Sequence, residues 1–275
     1  MVVPPDVREW LASVWVMLDG AVIGELEATT ARMIAIDDRV LRWYVDPWIL
    51  EDEPDAIRRE VAALQTLDGT PVPAPRLIDW STAPPVVLMN RLPGEQRLGL
   101  PDAGSVRTLL EAIHAVAPGP LATWTYRGYH EGRLLRRPAW WSDARTWERA
   151  VIRTETARPR APGVFIHRDF HPGNLLWAGD RISGVVDWSN ACVGPAAFDV
   201  AHARVNLATL HDAETADAVL PGDPAWDLEA AFGFLDWGAD DTALDEWVGP
   251  EPDVPPGVGG ARLERFVARA LAALG

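Results

Sequence analysis

The chain has no lysine; all 25 of its basic residues are arginines. Any task that needs a cation therefore falls to a guanidinium, which is always charged and offers a planar fork of donors instead of a point charge. Base is also scarce against acid, with 40 aspartates and glutamates and a net charge of −15. That balance argues against a nucleic acid or an anionic membrane as partner and suits a cationic ligand. The single cysteine, Cys192, cannot form an internal disulfide, so a reducing cytoplasm is the expected setting and a packed apolar role the expected use. No apolar run approaches the ~20 residues of a membrane span. The opening Met1-Val2-Val3-Pro4-Pro5-Asp6 lacks the basic-then-apolar pattern of a signal peptide, and none is expected. What remains is a globular composition, 48% hydrophobic and 24% charged over 275 residues, enough for one large or two modest domains.

The most informative stretch runs from Gly163 to Asp199. Val164–Ile166, Leu175–Trp177 and Ile182–Val186 are β-branched or bulky runs of strand length. Between the first two lie His167, Asp169 and Asn174, with Pro172-Gly173 enforcing a turn. Asp187 follows directly on the third run. A loop carboxylate such as Asp169 can accept a proton from an attacking hydroxyl. An amide oxygen and a second carboxylate, Asn174 and Asp187, are hard oxygen ligands of the kind Mg²⁺ takes alongside phosphates. These are the parts of phosphoryl transfer, where catalysis is positioning and charge neutralisation. Two other readings stay open on the residues alone: Asp169 and Asn174 capping a turn, or His167, Asp169, His171 and Asp187 holding Zn²⁺ in a metal-dependent hydrolase.

The run His167-Arg168-Asp169-Phe170-His171-Pro172-Gly173-Asn174, followed by Asp187-Trp188 and then Gly194-Pro195 and Asp199, resembles the catalytic and metal loops of the aminoglycoside phosphotransferase and choline kinase-like family, within the protein-kinase-like superfamily. The resemblance implies an α+β, two-lobe fold: a small antiparallel-sheet lobe over residues 1–93 and a larger, mainly helical lobe over 94–275. It implies ATP or GTP with Mg²⁺ as cofactors, Asp169 as the catalytic residue and Asn174 and Asp187 as metal ligands. It also implies a small hydroxyl-bearing acceptor, with aminoglycosides the type that the acidic balance suits. Arg42 stands where the family carries its small-lobe lysine, with Glu60 as the paired carboxylate. The phosphate loop falls on Glu27-Ala28-Thr29-Thr30-Ala31, which has no glycine, leaving the Thr29 and Thr30 hydroxyls to donate. Met89, Asn90 and Leu92 mark the strand exit whose backbone meets the purine. Asp199 is implied to brace the catalytic loop. A nucleotide-binding pseudokinase without turnover is the alternative that the missing lysine and glycines leave open, and oligomeric state is not readable.

Along the rest of the chain, hydrophobic spacing predicts a helix over residues 5–16 with Asp6 as its N-cap, strands over 21–27, 32–37 and 39–45, a helix over 54–64, a strand over 86–89 and helices over 105–116 and 262–274. A helical stretch is expected around Asp143–Arg153 and again after Asp199, with His202 and Val205 on one face, and His114 is expected to be a hydrogen-bonded core residue. Trp140-Trp141 could stack on a substrate or simply pack, and the acids of Asp236–Asp253 could receive a polycation or form a solvated face.

Overall fold

The computed structural model describes residues 3–26, 31–156, 160–237, 241–249 and 255–275. The N-terminal part is a five-stranded antiparallel sheet in the order β1-β2-β3-β5-β4, built from β1 (Ile23–Leu26), β2 (Ala31–Ile36), β3 (Arg39–Tyr44), β4 (Leu77–Thr82) and β5 (Pro85–Asn90). Helix α1 (Pro5–Ser13) covers one face. A short α2 (Pro47–Asp52) and the longer α3 (Ala56–Leu67) precede β4. Strand alternation divides the side chains between two cores. Leu41, Val86 and Leu88 face α1, with Val7 and Leu11. Val40, Tyr44, Val87 and Met89 face α3 and the rest of the molecule. Arg42, two residues from each of Val40 and Tyr44, is carried by that parity onto the inner face.

The C-terminal part is mainly helical: α4 (Ala103–His114), α5 (Ala144–Thr156), α6 (Ala196–Leu210), α7 (Ala213–Val219), α8 (Pro224–Trp237), α9 (Asp241–Val248) and α10 (Val258–Leu274). Two small sheets belong to the same part. One pairs β7 (Gly163–Ile166) with β10 (Cys192–Pro195); the other orders β6 (Glu95–Gln96), β8 (Leu175–Ala178) and β9 (Arg181–Val185) as β6-β8-β9. Gly94, entering β6, has φ of +113°, and a Cβ there would sit 2.5 Å from Ser183 Oγ and 2.7 Å from the Trp177 carbonyl oxygen, so the chain crosses between the two parts only with glycine at this point. No helix among the described residues is long and apolar enough to cross a membrane.

Several expectations need revision in detail. The first helix ends at Ser13, and its N-cap position is Pro4, so Asp6 lies in the first turn, where its charge favours the positive end of the helix dipole. Strands β4 and β10 are additional to those expected. The helix expected after Asp199 is α6, which starts earlier, at Ala196, and is buried almost all round, between α4, α7, α8, α10 and β7, so its apolar residues form no single stripe. Trp141 is 1% exposed and packs with Trp140, at 5.8 Å between ring centroids, and Trp147, at 5.2 Å; this pair serves the core. Cys192 is buried as expected, and burial pushes its thiol up to about 12.

The core of the C-terminal part can be tested away from the polar floor described next. Phe232 of α8 is fully buried, 5.4 Å from the Trp147 ring. Truncating it to alanine should cost about 3–5 kcal/mol, read as a lower denaturation midpoint with the slope unchanged.

Candidate active site

The loop His167–Asn174 folds as it does because three side chains tie down its backbone. Asp199, fully buried in the first turn of α6, accepts from the backbone N–H of His167 (2.9 Å) and of Arg168 (2.7 Å). Its Oδ2 also meets His114 Nε2 of α4 at 3.0 Å, so His114 is hydrogen-bonded as expected, though partly exposed rather than in the core. Arg168 takes φ of +68°, a left-handed conformation rare for a side-chain-bearing residue, and is held there by the Asp199 bond, by a guanidinium donation to Arg127 O and by stacking 4.2 Å over Tyr129. His167 is the third anchor. Its Nδ1 accepts from the Asp169 N–H at 3.3 Å, which leaves the proton on Nε2 to donate to Val186 O at 3.0 Å. One imidazole thus couples the Asp169 loop to the strand that delivers Asp187.

Asp169 projects from this frame with its side chain 26% exposed. Its Oδ1 lies 3.0 Å from His202 Nε2 and 3.8 Å from His171 Nε2. Burial alone would raise its pKa, but the His202 hydrogen bond and the surrounding imidazoles outweigh it and hold the carboxyl well below the ordinary range. His171 is pushed down to about 4 by its own burial and is neutral near pH 7; its ring meets Trp247 of α9 at 5.0 Å.

Asn174 is 6% exposed, and its Nδ2 donates to Asp169 O at 2.9 Å, which orients the acceptor oxygen Oδ1 away from that bond. The Val186 N–H donates to Asn174 O at 3.0 Å, so the chain pairing that continues the β8–β9 hairpin sets Asn174 beside the residue preceding Asp187. Asp187 itself adopts a left-handed backbone, φ +63°, at the strand end. Asp169, Asn174 and Asp187 are therefore gathered on one polar floor.

Above it, Arg42 donates from Nη1 to Glu60 Oε1 (2.9 Å) and to Asp187 Oδ1 (2.7 Å), and from Nη2 to Asp187 Oδ2 (3.0 Å). Tyr44 O–H satisfies the second Glu60 oxygen at 2.6 Å. Burial works against the guanidinium's charge, and Asp187 and Glu60 more than offset it. Asp187 is likewise held below the usual carboxylate range: burial opposes this, and Arg42 and the Ser189 hydroxyl at 2.7 Å overcome it.

The other sequence candidates divide. Thr29 and Thr30 lie outside the described residues. Met89 is buried in the core. The backbone N–H of Asn90 donates to Arg76 O, and that of Arg91 to Asp38 O, so both are engaged within the N-terminal part. Leu92 follows, its side chain against Gly184 of β9. The acidic stretch Asp236–Asp253 is described only in part; within it Asp245 accepts from the Gly257 N–H at 2.8 and 3.0 Å. Among the described residues no group of three or more His, Cys, Asp or Glu side chains is arranged to hold a metal ion, as the zinc hydrolase reading would require. His202 was missed as a site residue. Its position three residues after Asp199 was the available signal, since that spacing puts both on one helix face.

The model of the phosphotransferase enzyme family matches residues 34–206 of this chain. Homoserine kinases from Nitrobacter winogradskyi and Methylocella silvestris are 50% and 48% identical to it over 40 residues, a stretch that spans 14% of this chain and 12% of each relative. Among solved structures, a thermostable mutant of aminoglycoside phosphotransferase APH(4)-Ia in ternary complex with ADP and hygromycin B superposes with a TM-score of 0.61 at 16% identity, covering 96% of this chain and 98% of that one. A choline/ethanolamine kinase family protein from Mesorhizobium loti gives 0.60 at 15% identity, covering 98% of each chain. At such identities these structures establish a shared fold, the two-lobe kinase-like one.

Two outcomes follow from the ion pairs. Replacing Glu60 by alanine removes one of Arg42's two carboxylate partners and the acceptor of the Tyr44 hydroxyl while Asp187 still neutralises the guanidinium, and should destabilise by about 1–3 kcal/mol in denaturant titration, less than the loss of a sole buried partner. Asp169 and Asp187 have depressed pKa values. Their stabilisation is therefore present above the unfolded carboxylate pKa of about 4 and lost as pH falls below it. The melting temperature should show that acid loss, reduced in an Asp187→Asn variant.

Proposed function

This chain belongs to the phosphotransferase enzyme family, and we propose that it transfers the γ-phosphoryl group of a nucleoside triphosphate, ATP or GTP, to a hydroxyl of a small acceptor. The observation that carries this reading is the convergence of Asp169, Asn174 and Asp187 on one floor beneath the Arg42–Glu60 pair. The donor set fits Mg²⁺: an amide oxygen and a carboxylate are hard ligands, too few to hold the ion without phosphate oxygens beside them. When bound, the ion neutralises charge on the phosphates. Asn174 and Asp187 would hold it, and Asp187 would then share its oxygens with a ligand other than Arg42. The Nη groups so released would be placed to donate to the phosphates, a task for which the guanidinium fork is suited.

Asp169 would orient the acceptor hydroxyl. As the acceptor oxygen bonds to the γ-phosphorus and the bond to the β–γ bridging oxygen breaks, the hydroxyl proton passes to Asp169; the products are the phosphorylated acceptor and the nucleoside diphosphate. A carboxylate held this far below its usual pKa is a weak base, so it serves by orientation and by taking the proton late. Leu92, the first residue after the engaged Asn90 and Arg91 N–H groups, is the backbone position we assign to the purine, and the lobe boundary is placed at residue 93. A cationic acceptor, such as an aminosugar, suits the net charge of −15, and related folds are known in complex with hygromycin B. Asp169→Ala should keep its far-UV spectrum and its Mg²⁺-dependent stabilisation by nucleotide while acceptor-dependent ADP release falls by about 10²–10⁴; undiminished release refutes the role. Nucleotide stabilisation without release under any acceptor would make the chain a pseudokinase.

A further inference from the structure

The first turns of α6 grip the catalytic loop twice. Asp199 takes two backbone N–H groups, and three residues on, His202 reaches the side chain of Asp169 itself, Nε2 to Oδ1 at 3.0 Å. We propose that His202 is a positioning residue for phosphoryl transfer: it holds Asp169 by Oδ1 and so presents Oδ2 to the acceptor hydroxyl. The inference rests on the phosphotransfer reading of the site.

The proton assignment follows from chemistry. An ionised carboxylate only accepts, so His202 Nε2 must carry the hydrogen. The other ring nitrogen, Nδ1, is buried and has no hydrogen-bond partner among the described residues. The residue is 5% exposed and lies among the rings of Phe198 (5.8 Å), Tyr129 (6.3 Å) and His171 (6.2 Å). A residue present only to fill this space would be better apolar, because an unpartnered buried polar atom is destabilising. Retaining an imidazole makes sense through its one satisfied contact, the one to Asp169. No hydrogen bond engages Asp169 Oδ2 among the described residues, which leaves the carboxylate asymmetric: one oxygen fixed, the other open toward the partly exposed side. The groups facing Asp169 are His167 and His171 from its own loop, His202 from α6, Asp187 from the strand end and the Tyr129 phenol.

The test compares His202→Leu, which fills the socket without a donor, with His202→Gln, whose amide N–H can replace it. ADP release from Mg·ATP is followed with water and with hygromycin B as acceptors. His202→Leu should lower kcat about 10- to 100-fold, as loss of precise orientation does, with the nucleotide KM unchanged. Its acid limb should move toward neutral pH, since the hydrogen bond that favours the charged Asp169 is gone. His202→Gln should recover most of the rate. In the unmodified chain, ¹⁵N NMR of the His202 ring without ligands should show the proton on Nε2, and its slowly exchanging signal should vanish in Asp169→Ala. Unchanged kcat and pH profile in His202→Leu, or a proton on Nδ1, overturns the positioning role. Absence of ADP release from the unmodified chain with the Nε2 proton present overturns the phosphotransfer reading instead.

Discussion

A buried guanidinium between two carboxylates is the constraint on which the arrangement depends. Arg42 sits on the inner face of the N-terminal sheet because strand parity puts it there, and a charge in that position is untenable without anions. Glu60 answers from α3 and Asp187 from the far end of β9, across 145 residues of sequence. Because the fork has two Nη groups, one side chain can serve both carboxylates, and in doing so it fixes α3 against the sheet and the sheet against the C-terminal part. A lysine offers a single nitrogen and would have to divide itself between them. The absence of lysine from this chain is therefore matched by a geometry that uses what arginine alone provides.

Beneath that pair, rigidity comes from α6. Its N-terminal turns supply Asp199 to the backbone of the His167–Asn174 loop and His202 to the Asp169 carboxylate, while His167 ties the same loop to Val186. The candidate catalytic and metal-binding groups are thereby set by a helix buried on almost every side and by a short hairpin, not by the loop's own preferences. Trp247 of α9 stands edge-on against the His171 ring, which ties α9 to the same loop.

Much of this was readable from residues, and the reasons differ by element. The loop motif was legible because its chemistry needs particular side chains at particular spacings, and Arg42 because an inward charge in an apolar strand demands explanation. Strand β4 escaped because Leu77–Thr82 includes Asp79 and Ser81 and lies between prolines, and β10 because Cys192–Pro195 is only four residues long. α6 is buried on almost every side, so no exposed face marks which of its residues point inward, and only the three-residue spacing of His202 from Asp199 hints at their shared face. The role of the tryptophan pair could not be read from composition, since packing and stacking use the same residue, and only the neighbours Trp147 and Phe232 decide it. Arg42's hold on Asp187 depends on long-range folding and leaves no local trace.

The measurement that bears most directly on this account is the thermal shift produced by ATP and by GTP, each with and without Mg²⁺, in the unmodified chain and in Arg42→Met. A ligand that binds only the native state raises the melting temperature. The account predicts a shift in the unmodified chain that requires nucleotide and Mg²⁺ together, and its loss in Arg42→Met once the variant's own lower baseline is subtracted. No shift in the unmodified chain at millimolar nucleotide, or an equal shift in both, would contradict it.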